Sequence, residues 1–114
     1  MQVDGPFPFR GEVIWLTPEQ GGRRKGVPRL ELADGRSIDY AHVAHVPPET
    51  IETGSASFVL RGFDHGLWRS PAEGRWLLCD NAGPQRIVPG SVVAVTEGAD
   101  LVAYFVVTEV DEDE

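Results

Sequence analysis

Residues 91–110 constrain this chain more than any other segment. Two runs, Ser91-Val92-Val93-Ala94-Val95-Thr96 and Leu101-Val102-Ala103-Tyr104-Phe105-Val106-Val107-Thr108-Glu109-Val110, flank Glu97-Gly98-Ala99-Asp100. β-Branched and aromatic residues dominate both runs, which is strand composition, and the intervening glycine marks a hairpin. A two-residue Gly98-Ala99 loop sets Val95 opposite Val102 and Val93 opposite Tyr104. Both faces of the pair are largely apolar, so both must be covered. A barrel or sandwich meets that demand and an open sheet does not. Oligomerisation is another way to cover the outer face.

The rest of the chain carries the same punctuation. Its 13 glycines and 9 prolines are dispersed among short apolar runs, as in an all-β domain. A first strand is expected over residues 9–16, with Val13 and Trp15 on one face and Glu12, Ile14 and Leu16 on the other. Thr17-Pro18-Glu19-Gln20-Gly21-Gly22 ends it. Residues 29–33 alternate, and a three-residue loop Ala33-Asp34-Gly35 puts Gly35 at a left-handed bulge position. The next strand starts near Ser37 and carries Ile38 and Tyr40 on one face. Pro47-Pro48 ends it. Residues 55–60 alternate again, Ala56, Phe58 and Leu60 against Ser55, Ser57 and Val59. Residues 61–74 read as irregular, and short strands are expected at 75–79 and 85–88.

One domain accounts for 114 residues. We assign residues 1–110 to it and 111–114 to an acidic tail, continuous with a run in which Glu109, Asp111, Glu112, Asp113 and Glu114 supply five of the eighteen acids. A single cysteine, Cys79, allows no internal disulfide. The first ten residues lack the pattern of a secretory signal, and no apolar run is long enough to span a membrane. The expectation is a cytoplasmic protein with no membrane contact. The net charge of −8 weighs against nucleic acid, whose affinity comes chiefly from Lys and Arg on phosphates.

Two segments resemble a known family. Gly11-Glu12-Val13-Ile14-Trp15-Leu16-Thr17-Pro18-Glu19-Gln20-Gly21-Gly22-Arg23-Arg24 is similar to the opening of the C-terminal, third barrel domain of the elongation factor Tu family. Pro89-Gly90-Ser91-Val92-Val93-Ala94-Val95-Thr96-Glu97-Gly98, with Val106-Val107-Thr108-Glu109-Val110, resembles that domain's last hairpin. Residues 51–60 are similar to its central strand. The resemblance implies a closed or nearly closed six-stranded β-barrel standing alone. There are departures. Arg24 replaces a usual histidine, Gly26-Val27-Pro28-Arg29-Leu30 replaces an aromatic-rich segment, and residues 61–89 read as an insertion. No phosphate-cradling Gly-x-x-x-x-Gly-Lys-Ser/Thr occurs, so the chain is no GTPase.

The candidate sites follow. Arg23, Arg24, Lys25 and Arg29 place four of the ten basic residues within seven positions, just after Gly21-Gly22. With exposed glycine N–H groups, this loop makes a grip for phosphate or carboxylate. Trp68, in a loop beside Arg69, has the composition of an interface anchor, whereas Trp15 and Trp76 belong to strands and the core. His42 and His45 point to opposite faces of a strand and share no ion; no metal and no cofactor are expected. The reading is a non-catalytic binding module that engages a protein, ahead of an RNA, through Gly21, Gly22, Arg23, Arg24, Lys25, Arg29 and Trp68. The alternative is a small hydrolase or transferase using His65, Asp64 and Cys79. Against it, Cys79 reads as a small hydrophobe in a buried strand.

Overall fold

The structure is a computed structural model that describes residues 5–28, 39–64 and 66–111. Six antiparallel strands close into a barrel: β1 (Phe9–Trp15), β2 (Tyr40–His45), β3 (Ala56–Arg61), β4 (Arg69–Trp76), β5 (Val92–Glu97) and β6 (Asp100–Val110). Their order around the barrel is β1-β4-β3-β2-β5-β6, with β6 returning to β1. Among the described residues, no helix is long and apolar enough to cross a membrane. The expected closed six-stranded barrel is what forms. The strand and loop expected over residues 29–38 lie outside the described residues.

Alternation fills the interior. Phe9, Val13 and Trp15 of β1 point inward with Phe58 and Leu60 of β3, Trp76 of β4, Val93 and Val95 of β5, and Phe105 and Val107 of β6. Phe58 is the hub of one aromatic cluster, edge-on to Trp76 at 4.9 Å and near Phe9 and Phe105. Trp15, Tyr40 and Phe63 form a second cluster, and it underlies the candidate site.

Three strand readings need correction. The segment treated as an insertion contains β4, paired to β1 along Arg69–Gly74 and to β3 at Glu73–Trp76. Pro71 hides the strand in the sequence, yet it is tolerated because it lies where β4 pairs with β1 alone. The expected strand at 75–79 therefore ends at Trp76, and Cys79 lies beyond it, half-buried against the core. The expected strand at 85–88 is absent. Gly83–Gln85 forms a 3-10 turn, and the Asn81 side chain holds Ile87 in place of a neighbouring strand. Its Oδ1 accepts from Ile87 N–H and its Nδ2 donates to Ile87 C=O.

The last hairpin has the expected Gly98-Ala99 loop, since Glu97 pairs with Asp100. A bulge between Val95 and Thr96 then shifts the register by one residue. Val95 consequently faces Ala103, not Val102, and Val93 faces Phe105, not Tyr104. The bulge lets Val93, Val95, Phe105 and Val107 all turn inward. Glu109, the first residue of the acidic run, belongs to β6. Arg10 clamps it at 2.8 Å together with Asp111 at 2.7 Å.

Two glycines let the barrel walls close. At Gly11, where β1 bulges against β6, a Cβ would overlap the Val106 carbonyl. At Gly74 it would meet the Phe58 ring at 2.6 Å and the Phe105 ring at 2.9 Å. The Val106 carbonyl is ladder backbone and cannot swing aside as a ring can. Gly11→Ala is therefore expected to cost about 3 kcal/mol, the upper end of overpacking effects. Gly74→Ala should cost less. Urea unfolding midpoints of the two variants test the order.

Candidate functional site

The site begins with a turn that the sequence makes rigid. After β1, Pro18 opens a short 3-10 turn, Pro18–Gln20. Thr17 N–H donates to Gln20 Oε1 at 2.9 Å and Thr17 C=O accepts from Gln20 N–H at 2.9 Å. Gly21 adopts φ 88°, a left-handed conformation that suits glycine. Gly22 is required for a different reason, because a Cβ there would overlap the Leu16 carbonyl. The expected exposed glycine N–H groups are not available. Gly21 N–H donates to Pro18 C=O at 3.1 Å and Gly22 N–H to Thr17 C=O at 2.9 Å. The paired glycines shape the turn and do not cradle an anion.

Arg23 also departs from expectation. Its side chain folds back, is 21% exposed, and places Nε 2.7 Å from Glu97 Oε2, a close ionic contact without the angle of a hydrogen bond. Its Nη1 donates to Gly26 C=O at 2.6 Å, and Gly26 N–H donates to Arg23 C=O at 3.0 Å. Arg23 is thus a brace within the loop and not a contact residue. Arg24 and Lys25 are exposed and, among the described residues, make no ion pair. Arg29 lies outside the described residues.

Glu97, at the tip of the β5–β6 hairpin, gathers the surrounding groups. Besides Arg23, its Oε2 accepts from Tyr40 Oη at 2.6 Å and lies 3.9 Å from His42 Nε2. Here the barrel wall changes character. β2 pairs with β5 only at Val43, Ala44 and His45. Thr96 Oγ1 then donates to the Val43 carbonyl, and beyond it the Glu97–Tyr40 bond continues the seam with side chains. Burial raises the Tyr40 hydroxyl pKa above its ordinary value, and the Glu97 carboxylate raises it further. His42 and His45 fall on opposite strand faces, and no group of three metal-binding side chains exists among the described residues.

Between this turn and the hairpin lies a cleft of about 420 Å³. Arg23, Arg24 and Pro18 line one side, and Glu97, Asp100 and Val102 the other. Trp68 flanks the same turn. It is 44% exposed, beside Leu67 at 50%, and its ring lies where a Cβ on Gly26 would be 3.3 Å away. Trp15 N–H donates to the Trp68 carbonyl at 2.7 Å, which anchors the tryptophan's backbone to β1. The fold therefore joins two features that are 42 positions apart in the chain. Tyr40, Glu97 and Asp100 were missed by sequence reasoning. Glu97 and Asp100 were visible only as turn residues of a hairpin, and nothing local links them to Arg23 or Arg24.

Of the residues in the alternative, enzymatic reading, Asp64 has structural work. Asp64 Oδ1 accepts from Gly66 N–H at 2.8 Å, and Asp64 N–H donates to Ser70 Oγ at 2.9 Å. His65 lies outside the described residues. Burial, and secondarily the Asp80 charge, raise the Cys79 thiol pKa above its ordinary value, which disfavours the thiolate.

Two measurements probe these groups. Folding makes the Tyr40 proton harder to remove, so its contribution is complete below the unfolded tyrosine pKa of about 10 and drains away as pH rises beyond it. Wild-type stability is expected to begin falling near pH 10, at about the ordinary tyrosine pKa, and to keep falling as pH rises above it. Tyr40→Phe should flatten the slope and, at neutral pH, cost about 2 kcal/mol for a lost bond to a charged acceptor. Cys79 should react with a thiol reagent several-fold more slowly in the folded protein than after denaturation; fast native labelling would favour the enzymatic reading. None of the protein-family models, curated proteins or solved structures compared with the chain matches it.

Proposed function

We propose that this barrel is a non-catalytic binding module, working in the cytoplasm, that engages a protein through Arg24 and Lys25 on the turn after β1 and through Trp68 beside that turn. The resemblance to the third barrel domain of elongation factor Tu supports a binding role. The observation that carries the reading is the internal neutralisation of Arg23 by Glu97 at 2.7 Å. It fixes the turn and leaves its next two cations exposed beside an exposed tryptophan. A pre-ordered surface loses little entropy on binding, and Trp with Arg is the composition of interface hot spots.

Two observations favour protein over RNA. Asp100, without an ion pair among the described residues, stands in the cleft opposite Arg24, where it repels phosphate. The Gly21 and Gly22 N–H groups, which a phosphate needs, are already bonded to Pro18 and Thr17. The net charge of −8 adds long-range repulsion.

The test is a pull-down with the immobilised chain, comparing wild type, Arg24→Glu with Lys25→Glu, and Trp68→Ala. All substituted side chains are exposed, so the fold should survive, as circular dichroism checks. One protein retained by wild type and lost with both variants is the expected result. Binding of a structured RNA that weakens steeply with salt and disappears with the charge reversal would transfer the role to RNA.

A further inference from the structure

We propose that the cleft between the residue 21–24 turn and the β5–β6 hairpin receives an extended segment of the partner protein. The segment carries an acidic and a basic side chain a few residues apart. Its acid meets Arg24 and its base meets Asp100. This rests on the protein-binding reading above and names the kind of segment recognised.

The argument is one of charge and space. The cleft encloses about 420 Å³, within the range of ligand-binding pockets. Of its four charged residues, Arg23 and Glu97 neutralise each other at 2.7 Å. Arg24 and Asp100 remain on opposing walls, both exposed and, among the described residues, without an ion pair. A ligand of one sign gains one of them and is repelled by the other. A ligand of both signs gains both, and placing like charges together is how an interface rejects wrong partners. Pro18 and Val102 add apolar wall between the charges. Small zwitterions fill little of this space. A peptide leaving the cleft along the turn also meets Lys25 and the ring of Trp68 over Gly26.

The experiment uses the full chain labelled with 15N and blocked octapeptides on an alanine–serine background. The peptides carry one Glu and one Lys separated by one to four residues, Glu alone, or Lys alone. Further arms are free glutamate plus lysine, and a short single-stranded RNA. At least one mixed peptide is expected to shift the amides of Gly22, Arg24 and Asp100 to saturation. Single-sign peptides should bind about tenfold more weakly, as should the mixed peptide with Arg24→Glu or with Asp100→Lys. Spectra of the variants report that they remain folded. The proposal is overturned if no mixed peptide moves these amides, or if the Glu-only peptide, the free amino acids or the RNA binds as tightly as the mixed peptide. The partner from the pull-down separates the two readings. Its loss with Arg24→Glu/Lys25→Glu and Trp68→Ala, but full retention with Asp100→Lys, overturns the cleft and leaves the binding module standing. Indifference to every variant overturns both.

Discussion

One carboxylate organises the working end of this barrel. Glu97 lies where the β2–β5 ladder has already run out, and its Oε2 draws in Tyr40 from β2 and Arg23 from the turn after β1. Three segments far apart in the chain converge on that oxygen. Charged groups leave water reluctantly unless partnered, and here a cation and a hydroxyl meet the carboxylate. Removing Glu97 leaves the largely buried Arg23 without a carboxylate partner among the described residues and opens the seam beneath the Trp15–Tyr40 aromatic contact. The shape of the 21–26 turn depends on this junction as much as on its own glycines.

The barrel beneath is held by a different kind of interaction. Its interior is a continuous apolar packing in which Phe58 touches rings from three other strands. The strands approach closely enough for that only because Gly11 and Gly74 remove side chains at points of contact. Near the start of β1, Arg10 gathers the carboxylates of Glu109 and Asp111. Both ion pairs are solvent-exposed, so this cluster adds little stability compared with the core. What it does is hold the end of β6 in register against β1.

The strands with plain alternation were legible in the sequence. Val13 and Trp15, Phe58 and Leu60, and the final hairpin declare themselves because the side-chain period of a strand is two. β4 was not legible, because Pro71 and Gly74 look like breakers until the neighbours that tolerate them are known. The bulge at Val95 was equally hidden, since it answers to packing across the barrel and not to the local turn. At the candidate site the cluster of cations was visible but its division of labour was not. Arg23 and Arg24 are adjacent and chemically identical in the sequence, and only a residue 74 positions away makes one a brace and leaves the other free.

The pairing of Phe9 with Val110 puts the start of the first strand beside the end of the last. The polypeptide enters and leaves the barrel side by side, at the end where Arg10 meets Asp111. Such a barrel is topologically a cassette. A short linker can bridge β6 to β1 and new ends can be opened in a surface loop, since no strand pairing has to break in the rearrangement. By the same geometry, the barrel can be carried inside a loop of a larger host without pulling that loop apart.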